Sequence, residues 1–277
     1  MSTREKVGWG IGGLLIIIYC LFPIAWIVSL SFKSSSDISN GEFLPTTATS
    51  ENYATILTGD AAELFLPALR NSFGICLIAT ALACLLAMFA AYAIARLDFP
   101  GKKIILSTAL AVAIFPVISI VTPLFNLWRE IGLYDTWPGL ILPYLSLTLP
   151  ISIWTLSAFF REIPWEMEQA AQVDGATPWQ AFRKVIVPLA APGVFTTAII
   201  AFFLAWNDFV YGISLTSTSA SRPVPAALGL FTGASQFESP TGPIAAAAVI
   251  VTIPVVVLVL IFQRRIVAGL TNGAVKG

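Results

Sequence analysis

Charged residues punctuate this chain at wide intervals. No Asp, Glu, Lys or Arg occurs in residues 7–32, 71–95, 104–128, 136–160, 185–207 or 239–263, six gaps of 23 to 26 residues. An α-helix rises 1.5 Å per residue, so about 20 apolar residues cross a hydrocarbon layer of about 30 Å. The pattern therefore predicts six transmembrane helices, over about 8–32, 71–95, 104–128, 138–160, 188–210 and 242–263. A cytoplasmic segment, 161–184, and a cytoplasmic tail, 264–277, complete a single all-α membrane domain over 1–277. Two shorter charge-free stretches, 209–221 and 223–237, carry Pro, Gly and Ser and read as loop or re-entrant segments.

The first gap follows Arg4 and Lys6, as a secretory signal would. Its apolar region is longer than a signal's, and it lacks a small-residue cleavage site, so it reads as a retained first helix. Lys and Arg in the connections set orientation. With the N-terminus inside, 11 of the 15 basic residues fall in the cytoplasm, and Lys33, Arg70, Arg129 and Arg222 fall outside. Both termini are expected in the cytoplasm of a multi-pass plasma-membrane protein.

Composition agrees with this reading. The chain is 57% hydrophobic and 11% charged, against roughly 25% charged in a soluble domain. A net charge of zero excludes nucleic acid as a partner, because phosphate binding needs clustered cations. Cys20, Cys76 and Cys84 show no metal or redox spacing and read as small packing residues. With no histidine, the commonest general base and zinc ligand is missing, and no metal site is expected.

The most specific signal in the chain lies in 161–193, R-E-I-P-W-E-M-E-Q-A-A-Q-V-D-G-A-T-P-W-Q-A-F-R-K-V-I-V-P-L-A-A-P-G. Pro164 suits a first helical position, and Glu166 and Glu168 follow where the helix dipole favours carboxylates. Asp174-Gly175 supplies a stop, since glycine adopts the left-handed closing conformation at little cost. Thr177, Pro178 and Gln180 then form a capping box for a second helix. Helix, tight turn, helix is predicted.

This stretch resembles the EAA loop of ATP-binding-cassette importer permeases: Ala170-Ala171, Asp174-Gly175 and Pro188 all fall in register. The likeness extends over almost the whole chain and is greatest to the carbohydrate branch, in particular the smaller permease of maltose-type importers. It is carried by A-Y-A-I-A-R-L-D-F-P-G-K-K at 91–103, A-W-N-D-F at 205–209 and Q-R-R-I-V-A-G-L-T-N-G-A-V-K-G at 263–277. The resemblance implies a type I importer permease fold whose coupling helix, with Glu168, Gln169, Ala170, Ala171, Asp174 and Gly175, docks on an ATPase. It also implies an ATPase-interface tail, with Asn272, Gly273 and Lys276. The family's glutamate before Ala-Ala is Gln169 here, with Glu168 one position earlier. Neighbouring helix positions point about 100° apart, so no salt bridge is carried over for that glutamate.

The implied partners are a second permease, two copies of a cytoplasmic ATPase, an extracytoplasmic lipoprotein that binds solute, and membrane lipid. The implied cargo is a disaccharide, trehalose, with another oligosaccharide or a polyol as the alternative within the family. The outer segment 212–243 is expected to contact the binding protein. No G-x-x-x-x-G-K-[ST] loop occurs, so ATP and Mg are expected on partner subunits and no cofactor on this chain. No HExxH or GxSxG occurs either, and a non-catalytic subunit is expected.

Asn207 and Asp208, about 20 residues beyond Pro188, lie near the outer interface, where polar groups cap a helix or face a water-filled cavity. With Trp206 they are the candidates for the solute path. The other tryptophans, Trp26, Trp128, Trp137 and Trp154, suit interfacial anchoring. An ion-coupled transporter would place charges at mid-membrane and show internal repeats, and the six gaps hold no charge.

Overall fold

A computed structural model describes the backbone of residues 3–231 and 240–274, and the side chains of 5–231 and 240–261. The described residues are helical, with no strand. In chain order the helices are α1 (Thr3–Ser31), α2 (Ser35–Ile38), α3 (Glu51–Leu57), α4 (Ala62–Arg96), α5 (Lys102–Ala113), α6 (Val117–Glu130) and α7 (Trp137–Glu162). There follow α8 (Trp165–Val173), α9 (Pro178–Leu189), α10 (Ala191–Trp206), α11 (Val210–Leu215), α12 (Val224–Leu228) and α13 (Thr241–Ala274). Four helices are long and apolar enough to cross a membrane alone, and two bent pairs bring the number to six. The all-α expectation is met.

Two expected spans are not single straight rods. Within 104–128, α5 and α6 meet at 88°, and α9 meets α10 at 71° across Ala190. At 1.5 Å per residue, α5 and α6 are each about 20 Å long, too short to cross a bilayer alone. Pro116 accounts for the first break: it is the N-cap of α6, has no N–H to give α5, and bars Phe115 from helical geometry. At the end of the chain α13 continues as helix to Ala274, into the segment 264–277 expected as a cytoplasmic tail. Gly269 and Gly273 cost a helix about 1 kcal/mol each, and no proline follows Pro254 to stop it.

The chain divides into two compact units, Met1–Pro67 with Ala227–Pro254, and Ala68–Ala226 with Val255–Gly277. In the first, α1 buries none of its apolar window within the protein, as a lipid-facing helix would. Its C-terminal end is closed by polar contacts: Lys33 is fully buried, lies 5.1 Å from the Trp26 ring centroid and donates to the Glu42 carbonyl. Asn52 donates to the carbonyls of Ser31 (3.0 Å) and Lys33 (2.8 Å). The Asp37 carboxylate takes hydrogen bonds from Thr46 Oγ1 (2.7 Å) and N–H (2.7 Å), which hold its pKa below the ordinary value.

In the second unit the core is built of small residues on α4 against aromatic and branched ones on α7 and α9. Ala87, Ala91, Leu156, Phe160, Phe182, Ile186 and Ala190 are all buried together. Alanines on α4 let the neighbouring backbones approach, which is how helices pack where lipid offers no hydrophobic drive. Approach is also close at Gly193 of α10, where a Cβ would lie 2.4 Å from Phe159 Cγ.

Candidate functional site

The 161–184 segment forms the helix, turn and helix that its caps predict. Pro164 is the N-cap of α8 and Trp165 its first residue, one position later than expected. Gly175 has φ +89°, and its N–H donates to the Gln172 carbonyl (3.0 Å). Thr177 Oγ1 accepts from the Gln180 N–H, and Gln180 Oε1 accepts from the Thr177 N–H (2.9 Å), completing the capping box. Beyond it, Phe182–Ile186 is a π-helical turn inside α9.

Packing divides the faces of α8. Glu168 is 3% exposed and turned into the protein. Its Oε1 accepts from Tyr92 Oη (2.5 Å), and its Oε2 lies 3.9 Å from Arg96 Nε. Arg96, itself buried, donates to the Ile163 carbonyl (2.6 Å) and stacks over Trp165, 4.7 Å from the ring centroid. Tyr92 packs edge-on against Phe182 at 4.7 Å, which links the same cluster to α9. Tyr92 and Arg96 are four residues apart and so share one face at the C-terminal end of α4. That spacing was visible in the sequence, where Arg96 read only as a topology marker.

The opposite face of α8 is bare. Gln169, Ala170, Asp174 and Gly175 are exposed and Ala171 is half-buried. Val173 is 87% exposed, and Met167 and Trp179 join it as exposed apolar side chains. The structure thus separates the predicted residues into one anchor, Glu168, and an outward row. Of the tail residues, the backbones of Asn272 and Gly273 lie in α13, and Lys276 lies outside the described residues.

At the other end of this unit a second polar cluster fixes the loop between α11 and α12. Asp135 adopts a positive φ of 57° and donates its N–H to the Leu215 carbonyl (3.0 Å). Its carboxylate accepts from Thr218 Oγ1 (2.6 Å), Ser221 Oγ (2.7 Å) and the Ser217 N–H (3.0 Å). Burial pushes the Asp135 pKa up, but hydrogen bonds from Thr218, Ser221 and Ser217 outweigh it and leave the pKa below the ordinary value. Asn71 donates to the carbonyls of Ser219 (2.8 Å) and Arg222 (3.1 Å), and Trp137 Nε1 donates to Asn71 Oδ1 (3.1 Å). The hydrogen bonds between the Ser/Thr-rich stretch 214–221 and the Asp135 carboxylate that holds it span 82 or more residues, so no local motif pairs them.

The three solute-path candidates do not gather around one cavity. Trp206 is 4% exposed and packed between Phe202 (5.2 Å) and Phe73 (5.1 Å), so its ring serves the interior. Asn207 Nδ2 donates back to the Phe203 carbonyl (2.8 Å), and Asp208 accepts from the Gly212 N–H (3.1 Å) at the start of α11. Trp128 is also interior, donating to the Gly139 carbonyl (2.6 Å), whereas Trp154 remains exposed.

The family described as binding-protein-dependent transport system inner membrane component matches residues 83–272. The chain belongs to this family. It is therefore an inner-membrane permease component of an ATP-binding-cassette sugar importer, a transport subunit and not an enzyme. This permease is 58% identical over its whole length, and that of its relative, to the trehalose transport system permease SugB of Mycobacterium tuberculosis. It is 40% identical to the sulfoquinovosyl glycerol permease SmoH of Agrobacterium fabrum, over 96% of this chain and 93% of that one. It is 37% identical to the trehalose/maltose permease MalG of Thermococcus litoralis, over 96% and 95%. Its fold matches a chain in the crystal structure of a bacterial ABC transporter involved in alginate import, with TM-score 0.78, 22% identity and coverage of 95% and 98%.

Proposed function

We propose that this permease carries trehalose and acts as both conduit and lever in its importer. The single observation that carries the lever role is the division of α8, with Glu168 fastened inward to Tyr92 and Arg96 while Gln169, Ala170 and Val173 face out. A short helix held at one face and bare on the other suits docking on a cytoplasmic ATPase. Ala170, Ala171 and Gly175 carry little or no side chain, which lets a partner backbone approach. Two such ATPases carry ATP and Mg, and a second permease completes the membrane pathway. ATPase closure would pull the two coupling helices together and swing the spans outward. A solute-binding lipoprotein would deliver sugar at the outer surface, which in this unit includes the loop fixed by Asp135.

The cargo reading is supported by the 58% identity to a trehalose permease and the 37% identity to a trehalose/maltose permease, whereas the relative at 40% is a sulfoquinovosyl glycerol permease. Deleting the gene is expected to abolish uptake of labelled trehalose and leave glucose and glycerol uptake unchanged. Normal trehalose uptake in the null strain would reject this cargo.

Both termini are placed in the cytoplasm, on the 11-to-4 distribution of basic residues. In a cysteine-free version, single cysteines at Ser35, Thr58 and Ser219 should react with an impermeant thiol reagent added outside. One at Lys102 should not, and labelling there would invert the topology.

A further inference from the structure

The break between α5 and α6 opens a groove of about 460 Å³ in the second unit. Its walls come from four helices and include Thr108, Val112, Phe115, Ser146, Leu147 and Tyr211, with no charged side chain. A break at membrane depth frees backbone groups, and these are tolerated only inside protein or along a watered cavity. Ser146 and Thr108 are exposed and present hydroxyls there. Behind them Tyr211 is fully buried, and its hydroxyl has no hydrogen-bond partner. Ser146 stands beside that hydroxyl; its Oγ donates to the Pro143 carbonyl (2.6 Å) and keeps its lone pairs to accept a hydrogen bond.

A buried hydroxyl left unpaired costs about 1–3 kcal/mol, so a site that keeps one is poised for a ligand that supplies the missing partner. We infer that the groove at the α5–α6 bend is a transit subsite for the sugar, with Tyr211 and Ser146 hydrogen-bonding its hydroxyls and Val112, Phe115 and Leu147 facing its apolar ring surface. The ligand class follows from the lining: hydroxyls among apolar walls suit a neutral polyol or sugar, while an ionic solute would find nothing to neutralise it. This rests on the reading of the chain as a sugar permease, and it assigns that path to residues other than Trp206, Asn207 and Asp208.

The test uses the complete importer, with its partner subunits and binding protein, in proteoliposomes supplied with labelled trehalose. Tyr211→Phe keeps the ring and removes one oxygen. It should lower the maximal transport rate about tenfold, with binding-protein-stimulated ATPase activity retained and the half-saturating trehalose concentration unchanged. Val112→Trp should fill the groove and stop transport with the same ATPase activity. A cysteine at Val112, in a version lacking Cys20, Cys76 and Cys84, gives a readout besides transport: trehalose should slow its reaction with a small thiol reagent during turnover. Normal transport by both variants, or no protection of the cysteine, would overturn the subsite. Loss of the second permease from purified Tyr211→Phe or Val112→Trp complexes would overturn it in favour of a subunit contact. If the wild-type importer moves another neutral sugar and not trehalose, the cargo reading fails, and the same three variants measured with that sugar decide the groove.

Discussion

Glu168→Ala is expected to cause the largest loss of stability of any single substitution in the coupling segment, and with it the loss of transport. The carboxylate is 3% exposed and is the acidic partner of Arg96, whose side chain is 2% exposed. Removing it leaves the guanidinium buried against the Ile163 carbonyl and the Trp165 ring alone, and Tyr92 without its acceptor. Breaking one side of such a pair costs about 3–5 kcal/mol, because the remaining charge stays desolvated and unpaired. The purified permease complex should melt several degrees lower, and uptake should fall below a tenth of normal. Replacing both partners, with Glu168→Leu and Arg96→Met, should recover much of the lost Tm, since an apolar pair of similar volume is commonly neutral or better. A double variant as unstable as Glu168→Ala would show that the charge pair is not what holds α8.

Gly175→Val is the second expected large effect, and it acts through the backbone. At φ +89° a side chain is strained whatever the surroundings, and a Cβ here would meet nothing within 4 Å. The cost is therefore conformational, about 1 kcal/mol for alanine and more for a β-branched residue. That is too little to unfold six helices, but it is concentrated in the turn that sets the angle between α8 and α9. Membrane insertion should be intact, while uptake is lost or uncoupled from ATP hydrolysis. Asparagine tolerates the left-handed region, so Gly175→Asn should keep most of the uptake. Normal uptake by Gly175→Val would remove the turn from the coupling mechanism. Equal failure of Asn and Val would assign the effect to side-chain bulk at the docking surface.

What could be read without coordinates was local or statistical. Six apolar intervals, the stop at Gly175 and the Thr177–Gln180 box were legible because each depends on residues within one or two helical turns. The proposed docking row was legible for the same reason, as a motif in register along 169–175.

The breaks were not legible, because proline alone does not specify them. Pro23, Pro67, Pro123, Pro143, Pro150 and Pro254 all lie inside helices, whereas Pro116 ends one. In a bilayer, neighbouring helices re-satisfy the groups a proline frees, so its outcome is decided by what packs beside it. Sequence placed Glu166, Glu168 and Gln169 on one short helix. Only packing chose Glu168 to turn inward, by bringing Tyr92 and Arg96 from more than 70 residues away. Asp135 met its Ser/Thr loop, and Tyr211 came to rest behind Ser146, by the same kind of distant approach. Chain order thus determined which segments cross the membrane and where they turn. Which polar groups find partners, and which hydroxyl is left waiting for one, was decided by the tertiary fold, because desolvation penalises an unpaired group only after distant helices have closed around it.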